Sequence, residues 1–114
     1  MTKPVPDPPL VTKTATTFGS CNGSHAPLFA VRTGASAEDA LVHATVLLKS
    51  AYQTNAQACE KVDPEVRGLL WATQHSLEMS IALVEACLDE VEAHAMTAAL
   101  QRRATQLDQA SSGK

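Results

Sequence analysis

Histidines and cysteines are the residues of this chain best suited to bind a metal or to act in nucleophilic catalysis. Cys21 and His25 form the one closely spaced pair of soft metal ligands, but no second pair follows at the spacing of a zinc finger. Cys87 and His94 share one helical face about 10 Å apart along the axis, which is too far for a histidine to activate a thiol. We therefore predict no metal, no cofactor and no catalytic residue, in a protein that is not an enzyme.

A stripe of charged side chains headed by a tryptophan is the best localised candidate for a binding surface. Its members recur at helical spacing and so share one face of a helix, named here the Trp71 face: Trp71, His75, Glu78, Glu85, Asp89 and Glu92. In most helices such a stripe is the solvated face. The functional alternative is a docking surface for a basic protein partner, with the indole of Trp71 as its anchor.

Composition and charge argue against nucleic acids and membranes as partners. Nine basic and twelve acidic residues give a net charge of −3, whereas affinity for nucleic acid is driven largely by neutralising phosphates. No run approaches the roughly 18 apolar residues of a membrane span, and the N-terminus lacks the apolar core of a secretory signal. Three cysteines in different segments are typical of reduced, structural thiols. We expect a cytoplasmic protein.

A long amphipathic helix positions the Trp71 face. Asp63 and Pro64 are a typical helix start, because a capping side chain is followed by a residue that lacks an N–H group. Apolar residues, with one glutamine among them, then recur at alternating spacings of three and four: Leu70, Gln74, Leu77, Ile81, Val84, Leu88, Val91, Ala95 and Ala98. This periodicity predicts a helix that buries the stripe against another helix.

A second long helix precedes it and carries two apolar stripes. Ser36 is its expected N-cap, and Asp39 suits the positive end of the helix dipole. The first stripe consists of Leu41, Thr45, Leu48, Tyr52, Asn55, Cys59 and Val62. The second stripe consists of Ala37, Ala40, Ala44, Leu47, Ala51 and Ala58, and its first five members are named here the alanine stripe. A helix with two apolar stripes contacts two partners, so we predict that the alanine stripe forms a homodimer interface.

The short connection around Lys61 makes the two helices antiparallel neighbours, which is a helical hairpin. Folding the chain there pairs residues whose numbers add up to about 125, and this places Asn55 near Leu70 and Tyr52 opposite Gln74. A hydrogen bond between the phenol and the amide would satisfy both polar groups and set the register. The alternative is a small-ligand pocket built from Tyr52, Asn55, Gln74 and Trp71.

The segments outside the hairpin are less regular. Residues 1–17 are rich in proline and threonine and indicate a disordered arm. Leu28–Thr33 is typical of one short strand, which pairs either with the segment around Phe18 or with the same strand of a second subunit. We expect a folded domain at residues 18–92, an alanine-rich helical extension at 93–107 and a frayed tail at 108–114.

Three stretches of the chain carry a resemblance to a known family. They are Ala26–Gly34 (APLFAVRTG), Glu38–Leu41 (EDAL) with Leu47 and Leu48, and Leu70–Gln74 (LWATQ) with Leu83 and Val84. In these stretches the chain resembles a small family of pseudomonad and related gammaproteobacterial proteins, the domain-of-unknown-function 3077 family. The resemblance extends over about Phe18–Glu92 and implies a compact unit that ends near Glu92. It implies no catalytic residue.

Together these patterns predict a mainly α protein, with a disordered arm, one short strand and a long antiparallel helical hairpin that dimerises as a four-helix bundle. The expected function is that of a regulatory or interaction protein, which presents a rigid helical surface to a protein partner. Two alternatives stay open. The order strand–helix–helix is also that of ribbon-type DNA-binding dimers, in which Arg32 and Thr33 would contact bases. The other alternative is a small-ligand sensor that uses Tyr52 and Gln74.

Overall fold

The structure, a computed structural model, describes residues 9–113. Two strands, β1 (Thr16–Phe18) and β2 (Phe29–Val31), precede two helices, α1 (Ala37–Lys61) and α2 (Pro64–Ser112). The chain is mainly helical, and the two helices pack against each other, as the apolar spacing predicts. The described residues divide into two compact units, of which one is Asp39–Glu90 and the other joins residues 9–38 to residues 91–113.

In the unit Asp39–Glu90, the stripes that the helices cover coincide with the predicted ones. Every member of the predicted α1 stripe from Leu41 to Val62 is at least half-buried, and Thr45 and Cys59 are buried. Along α2, the predicted members in this unit are all half-buried. The hydroxyl of Thr45 donates to the carbonyl oxygen of Leu41 at 2.9 Å, so this buried polar group is satisfied within α1.

Asn55 connects the two helices through its side-chain amide. Its Nδ2 donates to the carbonyl oxygen of Leu70 at 2.8 Å and to Oε1 of Gln74 at 2.7 Å. The expected proximity of Asn55 and Leu70 is confirmed. The hydrogen-bond partner expected for Gln74 is wrong, because its amide pairs with Asn55 instead of Tyr52. The reason is geometric: Leu70 and Gln74 lie one helical turn apart, and a single NH₂ group between them reaches both.

Arg67 closes the corner between the helices. Its Nε donates to the carbonyl oxygen of Cys59 at 2.9 Å, and its Nη2 donates to that of Val62 at 3.1 Å. Both acceptors lie at the C-terminal end of α1, where carbonyl groups lack partners within the helix. The positive guanidinium also suits the negative end of the helix dipole. Neither the spacing nor the composition of the sequence predicts this contact.

The N-terminal segment pairs with another part of the same chain. β1 and β2 form an antiparallel sheet in which Phe18 pairs with Phe29, and their ring centroids lie 5.5 Å apart. The expected single strand is thus one of two, and its partner is the segment around Phe18. The hydroxyl of Thr12 donates to the carbonyl oxygen of Arg32 at 2.7 Å, and its amide donates to that of Ala35 at 2.9 Å.

These contacts correct the prediction that residues 1–17 form a disordered arm. The described part of the arm contributes two residues to β1, and the carbonyl oxygen of Leu10 accepts a hydrogen bond from the amide of Ala37 at 2.9 Å. Backbone hydrogen bonds between distant segments leave no periodic signal in a sequence, so composition alone indicated disorder. Residues 1–8 of the predicted arm lie outside the described residues.

The last part of α2 continues through the predicted extension, residues 93–107, and on to Ser112. α2 thus includes residues 108–112 of the predicted frayed tail. Ala98 is buried, so the extension has packing partners within its own unit. The predicted covered stripe is confirmed at Ala98 but not at Ala95, which is exposed. The neighbouring His94 is half-buried and takes the place of Ala95 in the stripe. Among the described residues, neither α1 nor α2 contains an apolar stretch of the length needed to span a lipid bilayer.

Replacing Asn55 with alanine removes both hydrogen bonds of its amide at a half-buried position. We expect the free energy of unfolding to fall by about 1–3 kcal/mol, because the side chain of Gln74 loses its donor. Urea denaturation measures the change, at one protein concentration since association also alters apparent stability. Gln53→Ala, at an exposed position of α1, is the control and should shift the value by less than about 0.5 kcal/mol. Equal stabilities of Asn55→Ala and the control would contradict this role of Asn55.

Replacing Arg67 with alanine leaves two carbonyl groups at the end of α1 without their donor. We expect a loss of about 2 kcal/mol, of which Arg67→Lys recovers only part, because an ammonium group does not present the planar fork of a guanidinium. Thermal unfolding followed by circular dichroism measures the effect. Arg103→Ala, at an exposed position of α2, is the matched control. If Arg67→Ala melts at the temperature of that control, the corner contact does not stabilise the hairpin.

Candidate functional site

The Trp71 face begins in the second turn of α2. The side chain of Trp71 is 58% exposed, so a large part of its apolar surface contacts solvent. His75 and Glu78 follow on the same face and are also exposed, with Nδ1 and Oε2 4.0 Å apart. That separation is the upper limit of an ion pair and contributes little to stability. An exposed indole, with an exposed carboxylate about two turns further along the helix, is therefore available to a partner at this end of the face.

Lys49 of α1 contacts the middle of the Trp71 face. Its Nζ lies 2.8 Å from Oε1 of Glu85, and both side chains remain about half exposed. An ion pair with this exposure stabilises a protein by less than about 1 kcal/mol, so it lowers the charge of the face without closing it. Asp89 is exposed one turn further on. Glu92 is also exposed and belongs to the other compact unit.

The alanine stripe of α1 is accessible to solvent over most of its length. Ala40, Leu47 and Ala51 are exposed, and Leu47 is 70% exposed. Ala44 is half-buried, as is Ala37, which belongs to the other unit. The packing of α2 on α1 therefore covers one of the two apolar stripes of α1 and leaves most of the other uncovered.

The residues expected for a small-ligand pocket in the hairpin do not form a common site. The amide of Asn55 is engaged by Gln74 and by the backbone of Leu70. Trp71 is largely exposed, whereas Tyr52 is half-buried. Polar groups that already satisfy each other are poor candidates for ligand recognition, because a ligand would have to replace these hydrogen bonds.

A small cavity lies in the unit that contains the N-terminal segment and the end of α2. Its volume is about 80 Å³, and its lining is mostly apolar: Pro9, Leu10, Ser36, Glu38, Val91, His94, Ala95, Ala98 and Arg102. Pockets for drug-sized molecules measure roughly 300–1,000 Å³. This cavity has room for water molecules or a few atoms, so it gives no support to the small-ligand alternative.

The candidate metal ligands are not brought together. The described part of the chain contains no group of three or more His, Cys, Asp or Glu side chains that could hold a metal ion. Cys21 is exposed in a loop with φ of 51°, and Nδ1 of His25 lies 2.8 Å from the carbonyl oxygen of Ala26. Cys21, Cys59 and Cys87 are all free thiols.

The strands are not arranged as the DNA-binding alternative requires. In a ribbon-type dimer, one strand from each subunit pairs across the two-fold axis and presents its side chains to the major groove. Here β2 pairs with β1 of the same chain. The guanidinium of Arg32, expected to contact bases, donates from Nη1 to the carbonyl oxygen of the neighbouring Thr33 at 3.2 Å.

The fold and its surfaces define a small helical-hairpin protein with a short N-terminal sheet. The family model DUF3077, described as a protein of unknown function, matches residues 12–94. The matched region covers most of the chain, and the protein belongs to the DUF3077 family. The matched region begins at Thr12, whose hydrogen bonds connect the N-terminal segment to the residues just before α1. It ends two residues after Glu92. No curated protein and no solved structure is significantly similar to the chain.

Proposed function

We propose that the protein is a non-enzymatic interaction protein of the cytoplasm that docks a basic protein partner on its Trp71 face. The observation that carries this proposal is the 58% exposure of Trp71 on a helix face whose nearest carboxylate, that of Glu78, follows about two turns further along. Tryptophan is the residue type most enriched among the anchors of protein interfaces, and an indole gains most from being desolvated by a partner. Three free cysteines support a reducing compartment.

Contacts beneath the Trp71 face support a rigid presentation of this surface. Asn55 bonds to Gln74 close to the beginning of the face, and Lys49 pairs with Glu85 near its middle. Both contacts hold α2 against α1. A preorganised surface loses little conformational entropy on binding, which favours docking over folding upon binding.

The charge of the Trp71 face favours a basic partner. Glu78 and Asp89 are exposed carboxylates on the same face as Trp71. A lysine or arginine of a partner would be attracted to them, and it would compete with Lys49 for Glu85. Interactions of this kind steer association and weaken as salt is added.

We also propose that two copies associate through their alanine stripes into a four-helix bundle. The support is the exposed Leu47 among small side chains, which let two helices approach closely. At 100° per residue, the alanine stripe lies roughly 160° around α1 from Lys49, which marks the side of the Trp71 face. Dimerisation and docking therefore use different sides of the hairpin and are compatible.

Affinity purification from the native host tests the docking proposal. The wild-type chain should recover a basic protein that elutes as salt is raised. Trp71→Ala and the charge reversal Asp89→Lys should each reduce recovery about tenfold or more. Leu107→Ala is the control, because it removes a similarly exposed apolar side chain, 70% exposed, from another part of α2.

The single tryptophan gives a direct second measurement. On titration with the purified partner, the emission of Trp71 should shift to shorter wavelength, since docking removes water from the indole. Equal recovery of the partner by the wild type and by Trp71→Ala, with no shift in emission, would refute docking on this face.

A further inference from the structure

Within the hairpin unit, α2 carries a second apolar stripe that α1 does not cover. Its members recur at alternating spacings of three and four and are all exposed; we name it the Met79 stripe: Leu69, Ala72, Ser76, Met79, Leu83 and Ala86. The three large residues, Leu69, Met79 and Leu83, are 72%, 66% and 68% exposed. At 100° per residue, the stripe lies about 150° around α2 from the covered stripe and about 110° from the Trp71 face.

The one polar side chain of the Met79 stripe is already satisfied. The hydroxyl of Ser76 donates to the carbonyl oxygen of Ala72 at 3.1 Å, within the helix. Burying a serine usually costs free energy because its hydroxyl donor loses water as an acceptor. Here the hydroxyl of Ser76 keeps its acceptor when another apolar surface covers the stripe. In its polarity, the stripe is suited to a dry helix–helix contact.

The order of large and small residues makes the Met79 stripe complementary to itself in the antiparallel direction. In a symmetric antiparallel contact, the first residue of the stripe on one copy faces the last residue on the other. The numbers of facing residues then add up to 155 for all six positions. Leu69 then faces Ala86, Leu83 faces Ala72 and Met79 faces Ser76. Large residues opposite small ones interdigitate and allow close approach of the helices. A parallel contact would instead place each leucine opposite its own copy.

From these observations we propose that the Met79 stripe binds the same stripe of a second copy of this chain, antiparallel and in that register. A two-fold symmetric contact is the commonest form of self-association, and it requires this kind of self-complementary surface. The stripe offers roughly 500 Å² per copy, so the contact buries on the order of 1,000 Å², which is the lower bound for a specific interface. Together with a contact through the alanine stripe, it produces assemblies larger than a dimer.

The acidic residues at the two ends of the stripe determine how this contact responds to salt. Glu65 and Glu90 continue the stripe, are exposed, and face each other between copies in the proposed register. Their like charges repel, and added salt screens the repulsion. Self-association through the Met79 stripe therefore strengthens as salt is raised, whereas docking of a basic partner on the Trp71 face weakens.

Sedimentation equilibrium with size-swap variants tests the proposal. All variants carry Leu47→Glu, which places a charge in the alanine stripe and so removes the other proposed contact between copies. In this background we expect association to twice the chain mass of 12.0 kDa. Adding Ala72→Leu puts a leucine opposite Leu83 and should weaken association about tenfold. Adding Leu83→Ala as well exchanges the two sizes and should restore the dissociation constant to within about threefold.

Ala82→Leu is the matched control, because it adds the same side chain at an exposed position of α2 outside the stripe, and it should leave association unchanged. Circular dichroism checks that each variant is folded, since leucine and alanine both favour helix. Three results would each overturn the proposal: a monomeric Leu47→Glu chain at roughly 100 µM, no effect of Ala72→Leu, or no recovery in the swapped variant.

This experiment tests the contact through the alanine stripe and the contact through the Met79 stripe independently. If Leu47→Glu has the same mass as the wild type, the alanine stripe is not an interface, while the size-swap result still decides the Met79 stripe. If Leu47→Glu reduces an associated wild type to a monomer, the alanine stripe is the interface and the proposal for the Met79 stripe is wrong.

Discussion

When two helices pack side by side, each covers one stripe of the other and removes it from water. This chain has more apolar stripes than one such contact can cover. Among the described residues only Thr45, Cys59 and Ala98 are buried, and large apolar side chains such as Leu47 and Leu83 remain mostly exposed. Monomeric proteins rarely leave extended apolar surface in water. The proposals that the protein associates with copies of itself and with a partner both follow from this excess of uncovered surface.

Polar contacts, more than apolar burial, determine how α1 and α2 align. Stripes of similar side chains with three–four spacing tolerate a shift by one turn, whereas the amide of Asn55 has acceptors in one alignment only, at Leu70 and Gln74. Arg67 acts at the corner, where it binds carbonyl oxygens at the end of α1. The hairpin thus has its register defined at two places, and its outer faces are presented in a fixed relation to each other within that unit.

The sequence predicted the helices well because their signals are local and repeated. Ser36 and Asp63 mark the helix starts, and the covered stripe of α1 repeats over seven positions without an error. The partner of Gln74 could not be predicted with the same precision. Tyr52 and Asn55 lie one turn apart on the same stripe, and spacing alone does not decide which of them reaches it.

Contacts between distant segments account for the other differences. β1 has only three residues, and Thr12 joins the chain before α1 through hydrogen bonds that no local pattern announces. The exchange of Ala95 for His94 in the covered stripe likewise depends on the packing around the end of α2. For the candidate site, helical spacing in the sequence predicts the Trp71 face. It does not predict the ion pair between Lys49 and Glu85, because that pair depends on how α1 is aligned with α2. The Met79 stripe is not evident from spacing alone, because alanine and serine dilute its apolar signal.

The most direct test of this account is the mass of the unmodified chain at sedimentation equilibrium over a range of concentrations. Because the hairpin leaves apolar stripes uncovered, the average mass should exceed the chain mass of 12.0 kDa and rise with concentration. A mass that stays at 12.0 kDa up to roughly 100 µM would contradict the account, since it would show that these surfaces remain in water without a second copy to cover them.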